Sequence, residues 1–233
     1  MTREEYIEKL LTHYHLVSVL SKKNECKVLR LRNQNSGQEL VLRSFPQRLE
    51  AYELLCSIRC ENLPEIYDAI DLDDGQIVLE EYIEGLTVAQ VLETGIYHPR
   101  GAKKVLAGVC AGLSVLHQEG IVHRDVKPEN VIIGPSGRVV LIDFNASRMV
   151  SLSSKDTVIM GTVGYASPEQ LGLSQSDSRT DIYAAGVLLN VMLTKQHPTQ
   201  AFARGRAGRI VKKCTAINPK DRYQSVEKLS QAL

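Results

Sequence analysis

The chain has 233 residues, 43% of them apolar and 24% charged, with 28 Lys and Arg against 27 Asp and Glu and a formal net charge of +1. That length holds one domain or two small lobes and leaves no room for a long disordered tail. The balanced charge gives no global reason for a nucleic-acid or polybasic membrane partner, so any phosphate chemistry must be local. No segment is apolar for the roughly 20 residues that cross a bilayer, and the best run, Ala184 to Leu193, has the length of a buried helix. The first residues, with Glu4 and Glu5, lack the basic-then-apolar layout of an export signal, which predicts a cytoplasmic protein. Cys26, Cys56, Cys60, Cys110 and Cys214 form no Cys-x-x-Cys pair and read as reduced thiols, with Cys56 and Cys60 on one helix face.

Thr2 and Glu5 fit a capping box ahead of the apolar Tyr6, Leu10 and Leu11, which predicts a short amphipathic helix at the start. From His15 to Phe45 the apolar residues fall in short, partly alternating runs, which predict strands, two of them joined by the turn Asn33 to Gly37. Leu49 to Ile58 reads as a short helix, followed by strands at Ile66 to Ile70 and Gln76 to Tyr82 around the turn Asp73-Asp74-Gly75. After Gly85 the pattern becomes helical. Thr87 caps a short helix, and Gly101 to His117 aligns Val105, Leu106, Val109, Leu113 and Leu116 on one stripe that Gly120 ends. An irregular stretch, Ile121 to Glu169, holds short strands around Val131-Ile132 and Val139 to Ile142. Asp181 to Leu193 is apolar almost all round, the mark of a buried helix. A strand-rich front, residues 1–84, is thus joined to a helix-rich back, residues 85–233, an α+β arrangement.

The segment His123-Arg124-Asp125-Val126-Lys127-Pro128-Glu129-Asn130 is followed by Asp143-Phe144-Asn145 and by Ser167-Pro168-Glu169. With these residues, in this order, the chain resembles the eukaryotic-type protein kinases, specifically the serine/threonine branch found in bacteria. The resemblance implies a two-lobed kinase fold, ATP and Mg²⁺ (or Mn²⁺) as cofactors, and transfer of the terminal phosphate to Ser or Thr of a protein. Phosphoryl transfer has a loose, highly charged transition state, so positioning and charge neutralisation are what the protein must supply.

By the same resemblance Asp125 is the catalytic base, Lys127 a point charge on the moving phosphate, and Asn130 and Asp143 the metal ligands. Leu20, Val28, Val41, Arg43, Glu81, Ile83 and Ile132 surround the nucleotide, with the adenine between Val28, Val41 and Ile132. Thr162 seats the substrate. His123 and Phe144 are structural, Asp181 accepts hydrogen bonds from the catalytic-loop backbone, and Glu169 pairs with Arg222 in the interior. Arg124 suggests a pocket for a phosphorylated activation segment, with Ser151, Ser153, Ser154 and Thr157 as candidate acceptors.

The front departs from the family pattern. Arg43 stands where the phosphate-binding lysine belongs, and a planar guanidinium is no conservative replacement for a point charge. Ser21, Lys23 and Cys26 replace the three glycines of the phosphate-covering loop, removing close backbone approach. Lys22, Lys23 and Lys27 are candidates to supply charge instead. The usual helix glutamate has no secure match in Glu50 or Glu53, whereas Glu80, an unusual acid just before the hinge Glu81-Tyr82-Ile83, is a candidate partner for Arg43. Asn145 replaces the glycine after Asp143-Phe144, a milder change because Asn accepts left-handed backbone angles. The chain is also trimmed after Arg43 and from Thr194 to Arg209, where the family usually has an extra substrate-docking helix. Two functions stay open on these residues: an active kinase acting on a protein substrate, and a pseudokinase scaffold that binds a regulatory protein partner. A small-molecule phosphotransferase is a third, and no nucleic-acid or membrane partner is expected.

Overall fold

The structure is a computed structural model that describes residues 1–23, 25–149, 164–171 and 176–233. The chain divides into two compact units, Met1–Cys60 with Pro64–Ile83, and Glu61–Leu63 with Glu84–Leu233.

In the first unit, helix α1 (Arg3–Leu11) starts at Thr2, whose hydroxyl accepts the Glu5 N–H at 3.3 Å while the Glu5 carboxylate accepts the Thr2 N–H at 2.8 Å. Strands β1 (Tyr14–Lys23), β2 (Cys26–Asn33) and β3 (Glu39–Phe45) lead into helix α2 (Ala51–Leu55), and β4 (Ile66–Leu72) and β5 (Gly75–Glu81) complete an antiparallel sheet in the order β1-β2-β3-β5-β4. Period-two alternation sends Leu29, Leu31, Leu40, Leu42 and Ile77 to one face, where Ile7 of α1 closes the core. The opposite face carries Val28, Val41, Arg43, Val78 and Glu80, as the registers Val28↔Arg43, Arg43↔Val78 and Val41↔Glu80 require.

Helix α2 is shorter than the reading Leu49 to Ile58, because the amides of Ser57 and Ile58 turn to carbonyls three residues back and tighten the chain out of the helix. Cys60 therefore lies beyond the helix and does not share a helix face with Cys56. In the glycine-poor segment β1 and β2 pair as far as Lys23↔Cys26, with register shifts between Leu16 and Ser18 and between Val19 and Ser21, and Glu25 takes the left-handed φ of 63°.

In the second unit, β6 (Leu86–Thr87) precedes α3 (Val88–Thr94), capped by Thr87 in a second capping box, and α4 (Pro99–Gln118). α4 begins two residues before the expected Gly101, since Pro99 suits a first helical turn and the His98 side chain accepts the Arg100 N–H. Then come β7 (Ile121–Val122), β8 (Val131–Ile133), β9 (Val139–Leu141) and β10 (Arg148–Met149), forming the small sheets β6-β8-β9 and β10-β7. Helices α5 (Ser178–Thr194), α6 (Gly205–Cys214) and α7 (Val226–Ala232) finish the unit. α5 is the buried centre, and it meets α6 closely at Gly186, where a Cβ would lie 2.3 Å from that of Cys214. Glu61–Leu63, read from sequence as part of residues 1–84, belongs here, because Asn62 donates to the Val139 carbonyl at 2.7 Å and accepts from the Leu141 amide at 2.9 Å. Among the described residues no helix is long and apolar enough to cross a membrane.

Candidate active site

The segment 123–130 leaves β7 and returns through a 3₁₀ turn (Pro128–Asn130) into β8. Its backbone is held from below by Asp181, one turn into α5 and fully buried, whose Oδ2 accepts the His123 amide at 2.9 Å and whose Oδ1 accepts the Arg124 amide at 2.8 Å. His117, at the end of α4, adds its Nε2 to Asp181 Oδ2 at 2.8 Å. Burial pushes the Asp181 carboxyl up, but the His117 hydrogen bond and the Arg124 amide help to hold it below the usual range.

His123 is buried and accepts the Asp125 amide at Nδ1 (3.3 Å), so its proton sits on Nε2, which donates to the Ile142 carbonyl at 3.2 Å. Burial lowers its pKa and keeps the ring neutral. The Phe144 ring meets it edge-on at 5.4 Å between centroids. Arg124 and Asp143 both adopt left-handed angles, φ 67° and 70°, that non-glycine residues hold only when the surroundings over-determine them. Asn145 does not: the left-handed position of this motif is Asp143 itself.

Asp125 Oδ2 accepts from Lys127 Nζ at 2.6 Å and from Asn130 Nδ2 at 2.9 Å, and the same amide nitrogen donates to the Asp125 carbonyl at 2.8 Å. Asn130 thereby keeps its Oδ1 as the oxygen that Asp125 does not use. Its own carbonyl accepts the Ile142 amide at 2.9 Å, which sets Asn130 beside the start of the Asp143 motif. An amide oxygen and a carboxylate are hard donors of the kind that Mg²⁺ or Mn²⁺ takes, with water filling the remaining positions, so these residues fit the metal that the sequence implies.

Beneath lies a second buried charge cluster. Arg222 donates from Nη1 and Nη2 to Glu169 Oε1 and Oε2 at 2.6 and 2.9 Å, and from Nη1, Nε and Nη2 to the carbonyls of Arg179, Ala216 and Ile217 respectively. Burial raises the Glu169 pKa, but the Arg222 hydrogen bonds bring it below its usual value. Gln170 donates to the Arg124 carbonyl at 2.9 Å and accepts the Ser167 amide at 2.9 Å, tying the Pro-Glu segment to the catalytic loop. Burial and the charge of Arg148 lower the Arg124 pKa. Thr162, Ser151, Ser153, Ser154 and Thr157 lie outside the described residues.

The residues assigned to the nucleotide divide between the units: Leu20, Val28, Val41, Arg43, Glu81 and Ile83 in the first, Ile132 in the second. Arg43 Nε donates to Glu80 Oε1 at 2.6 Å, with side chains 7% and 3% exposed. Glu53 pairs with Arg48 at the surface, and Lys27 pairs with Glu4 of α1. The Glu81 amide donates to the Glu65 carbonyl at 2.8 Å, Ile83 is buried, and Leu20 is half exposed. Sequence reasoning missed His117 and Gln170. Gln170 adjoins a motif already singled out, whereas nothing local in the sequence ties His117 to Asp181.

A strand-rich unit, a helical unit and a loop built on Asp125 and Asp143 define a protein kinase. The chain matches the protein kinase domain over residues 18–233 and belongs to that family, in its bacterial serine/threonine branch. It is 30% identical over 225 residues to serine/threonine-protein kinase D of Synechocystis, which is 86% of this chain and 44% of that protein. It is 39% identical over 166 residues to PknL of Mycobacterium tuberculosis (70% of this chain, 41% of that one) and 30% over 183 residues to PrkC of Bacillus subtilis (77% and 28%). The chain spans less than half the length of these relatives.

Proposed function

We propose that this chain transfers the terminal phosphate of ATP to a Ser or Thr hydroxyl of a protein, with Asp125 as the base. The observation that carries this reading is the fixing of one Asp125 oxygen by Lys127 at 2.6 Å and Asn130 at 2.9 Å, a base oriented before substrate arrives. The substrate oxygen passes its proton to Asp125 and bonds to the terminal phosphorus as the bond to the leaving diphosphate oxygen breaks. Lys127 steadies negative charge on the phosphate, and Asp181 keeps the loop in register through the His123 and Arg124 amides. Asn130 Oδ1 and the Asp143 carboxylate would hold Mg²⁺ or Mn²⁺, which when bound neutralises phosphate charge. Arg43 stands at the strand position that a lysine occupies elsewhere in the family, with its guanidinium paired to Glu80.

The test is incubation of the purified protein with labelled ATP, Mg²⁺ or Mn²⁺ and a generic protein acceptor, beside Asp125→Asn and Asp143→Asn. Transfer is expected to fall about 10²–10⁴-fold in Asp125→Asn, and to be lost in Asp143→Asn. Wild-type transfer no greater than in the two variants would overturn the enzyme reading, and a thermal shift with ATP would then show whether a nucleotide-binding scaffold remains.

A further inference from the structure

The net charge of only +1 on the whole chain conceals a local excess. Between Asp181 and Asp221 fall seven of its 28 Lys and Arg residues and none of its 27 acids. Helix α6 turns Ile210, Val211 and Cys214 inward and leaves Arg206, Arg209, Lys212 and Lys213 exposed, with Arg204 just before it. Neutral groups hold several of these cations in place. Arg206 donates to the Ala232 carbonyl at 3.2 and 3.0 Å, and Lys212 lies 5.3 Å from the Phe202 ring centroid. Among the described residues none of the five forms an ion pair, so their charge is not neutralised.

Beside this basic face lies an apolar groove. A cavity of about 530 Å³ is lined by Ile96, Tyr97, Leu193, Phe202 and Ala207, with Arg204 and Arg206 at its side. A second cavity of about 210 Å³ shares Leu193, Arg206 and Ala207 and adds Arg100 and Lys103. The larger one has the size of a ligand pocket, which runs from about 300 to 1,000 Å³. Ile96 and Phe202 are 61% and 41% exposed, although large apolar side chains gain by burial. Tyr97 has a buried hydroxyl with no hydrogen-bond partner among the described residues. The groove borders residues 195–204, a stretch without helix ahead of α6.

We propose that this groove docks an acidic linear segment of a protein partner, its apolar side chains entering the cavity and its carboxylates meeting Arg100, Lys103, Arg204 and Arg206. The pairing of recessed apolar surface with unneutralised cations selects this occupant. A nucleic-acid backbone offers phosphates without aliphatic side chains to fill the cavity. The surface does not depend on phosphoryl transfer, so binding tests it directly, without nucleotide.

The probe is a short fluorescein-labelled peptide of Asp, Glu, Leu and Phe, followed by fluorescence anisotropy against the whole chain. Saturable binding is expected, weakening with added salt and falling about tenfold or more in Arg204→Glu/Arg206→Glu. Ile96→Ser, at an exposed position, should weaken it with charge unchanged, and peptides with Lys for the acids or Ser for Leu and Phe should bind about tenfold more weakly or worse. Thermal unfolding of each variant, unchanged from wild type, shows that the fold is intact. The proposal is overturned by absence of saturable binding, by binding indifferent to these substitutions, or by tighter association with phosphatidylserine vesicles or duplex DNA than with the peptide.

Discussion

Arg43 on β3 and Glu80 on β5 join two departures from the kinase pattern into one feature, an ion pair of 2.6 Å in the interior of the strand-rich unit. Arg43 registers with Val78, so Glu80 is its diagonal neighbour on the same sheet face. Each residue alone would be a buried charge in the wrong place. Together they pair through Arg43 Nε and Glu80 Oε1, and removing either leaves the other charge buried at a cost of about 3–5 kcal/mol. In a double-mutant cycle followed by urea unfolding, Arg43→Ala and Glu80→Ala should each show such a loss, and the double variant clearly less than their sum. Additive losses would refute the coupling.

Arg222 uses its whole fork: both Glu169 oxygens and three backbone carbonyls are bound. Arg222→Ala should cost about 3–5 kcal/mol by stranding the Glu169 carboxylate. Arg222→Lys should recover little of this, since an ammonium cannot span two carboxylate oxygens and distant carbonyls at once. Full recovery of unfolding stability in the lysine variant would show that charge alone, without the fork, accounts for the pair.

His123 sets a pH dependence. Its folded pKa lies below the ordinary 6.5 because burial disfavours the charged ring. Below 6.5 the unfolded chain therefore binds a proton that the folded chain does not. Stability from this residue is present above that value and is lost as pH falls toward the lowered folded pKa. Thermal unfolding at a series of pH values should show this acid limb, and His123→Asn, less stable throughout, should have a shallower slope in the same window. Parallel slopes would remove His123 as the cause.

Lys127 lies 2.6 Å from Asp125 and is partly exposed, so its removal opens no large cavity. Lys127→Ala should slow phosphate transfer about 10- to 150-fold, the value of a charge-assisted hydrogen bond of about 1.5–3 kcal/mol. Its unfolding transition should move less than that of Arg222→Ala, whose pair with Glu169 is more deeply buried. Unchanged turnover in the labelled-ATP assay would take Lys127 out of the site.

Much of the site was legible because its chemistry is local. Asp125, Lys127 and Asn130 sit within one short loop, and the hydrogen bonds that join them span two and five residues. Thr2 and Thr87 announce their helices by the same short-range logic. Helix α6 is also readable, from Ala207, Ile210, Val211 and Cys214 at helical spacing.

The order of the motifs, through the family resemblance they carry, determined the class of fold, the catalytic loop and the strand that bears Arg43. Those features depend on residue type and near spacing, which sequence records directly. Tertiary structure alone decided which groups meet across long separations: His117 with Asp181, Lys27 with Glu4, and residues 61–63 with the helical unit. It also placed the left-handed angle on Asp143 instead of Asn145 and gathered the unneutralised cations of α6 beside an apolar groove. Such outcomes turn on where packing points each side chain, and on which desolvated charge finds a partner, and neither is a property of any short stretch of chain.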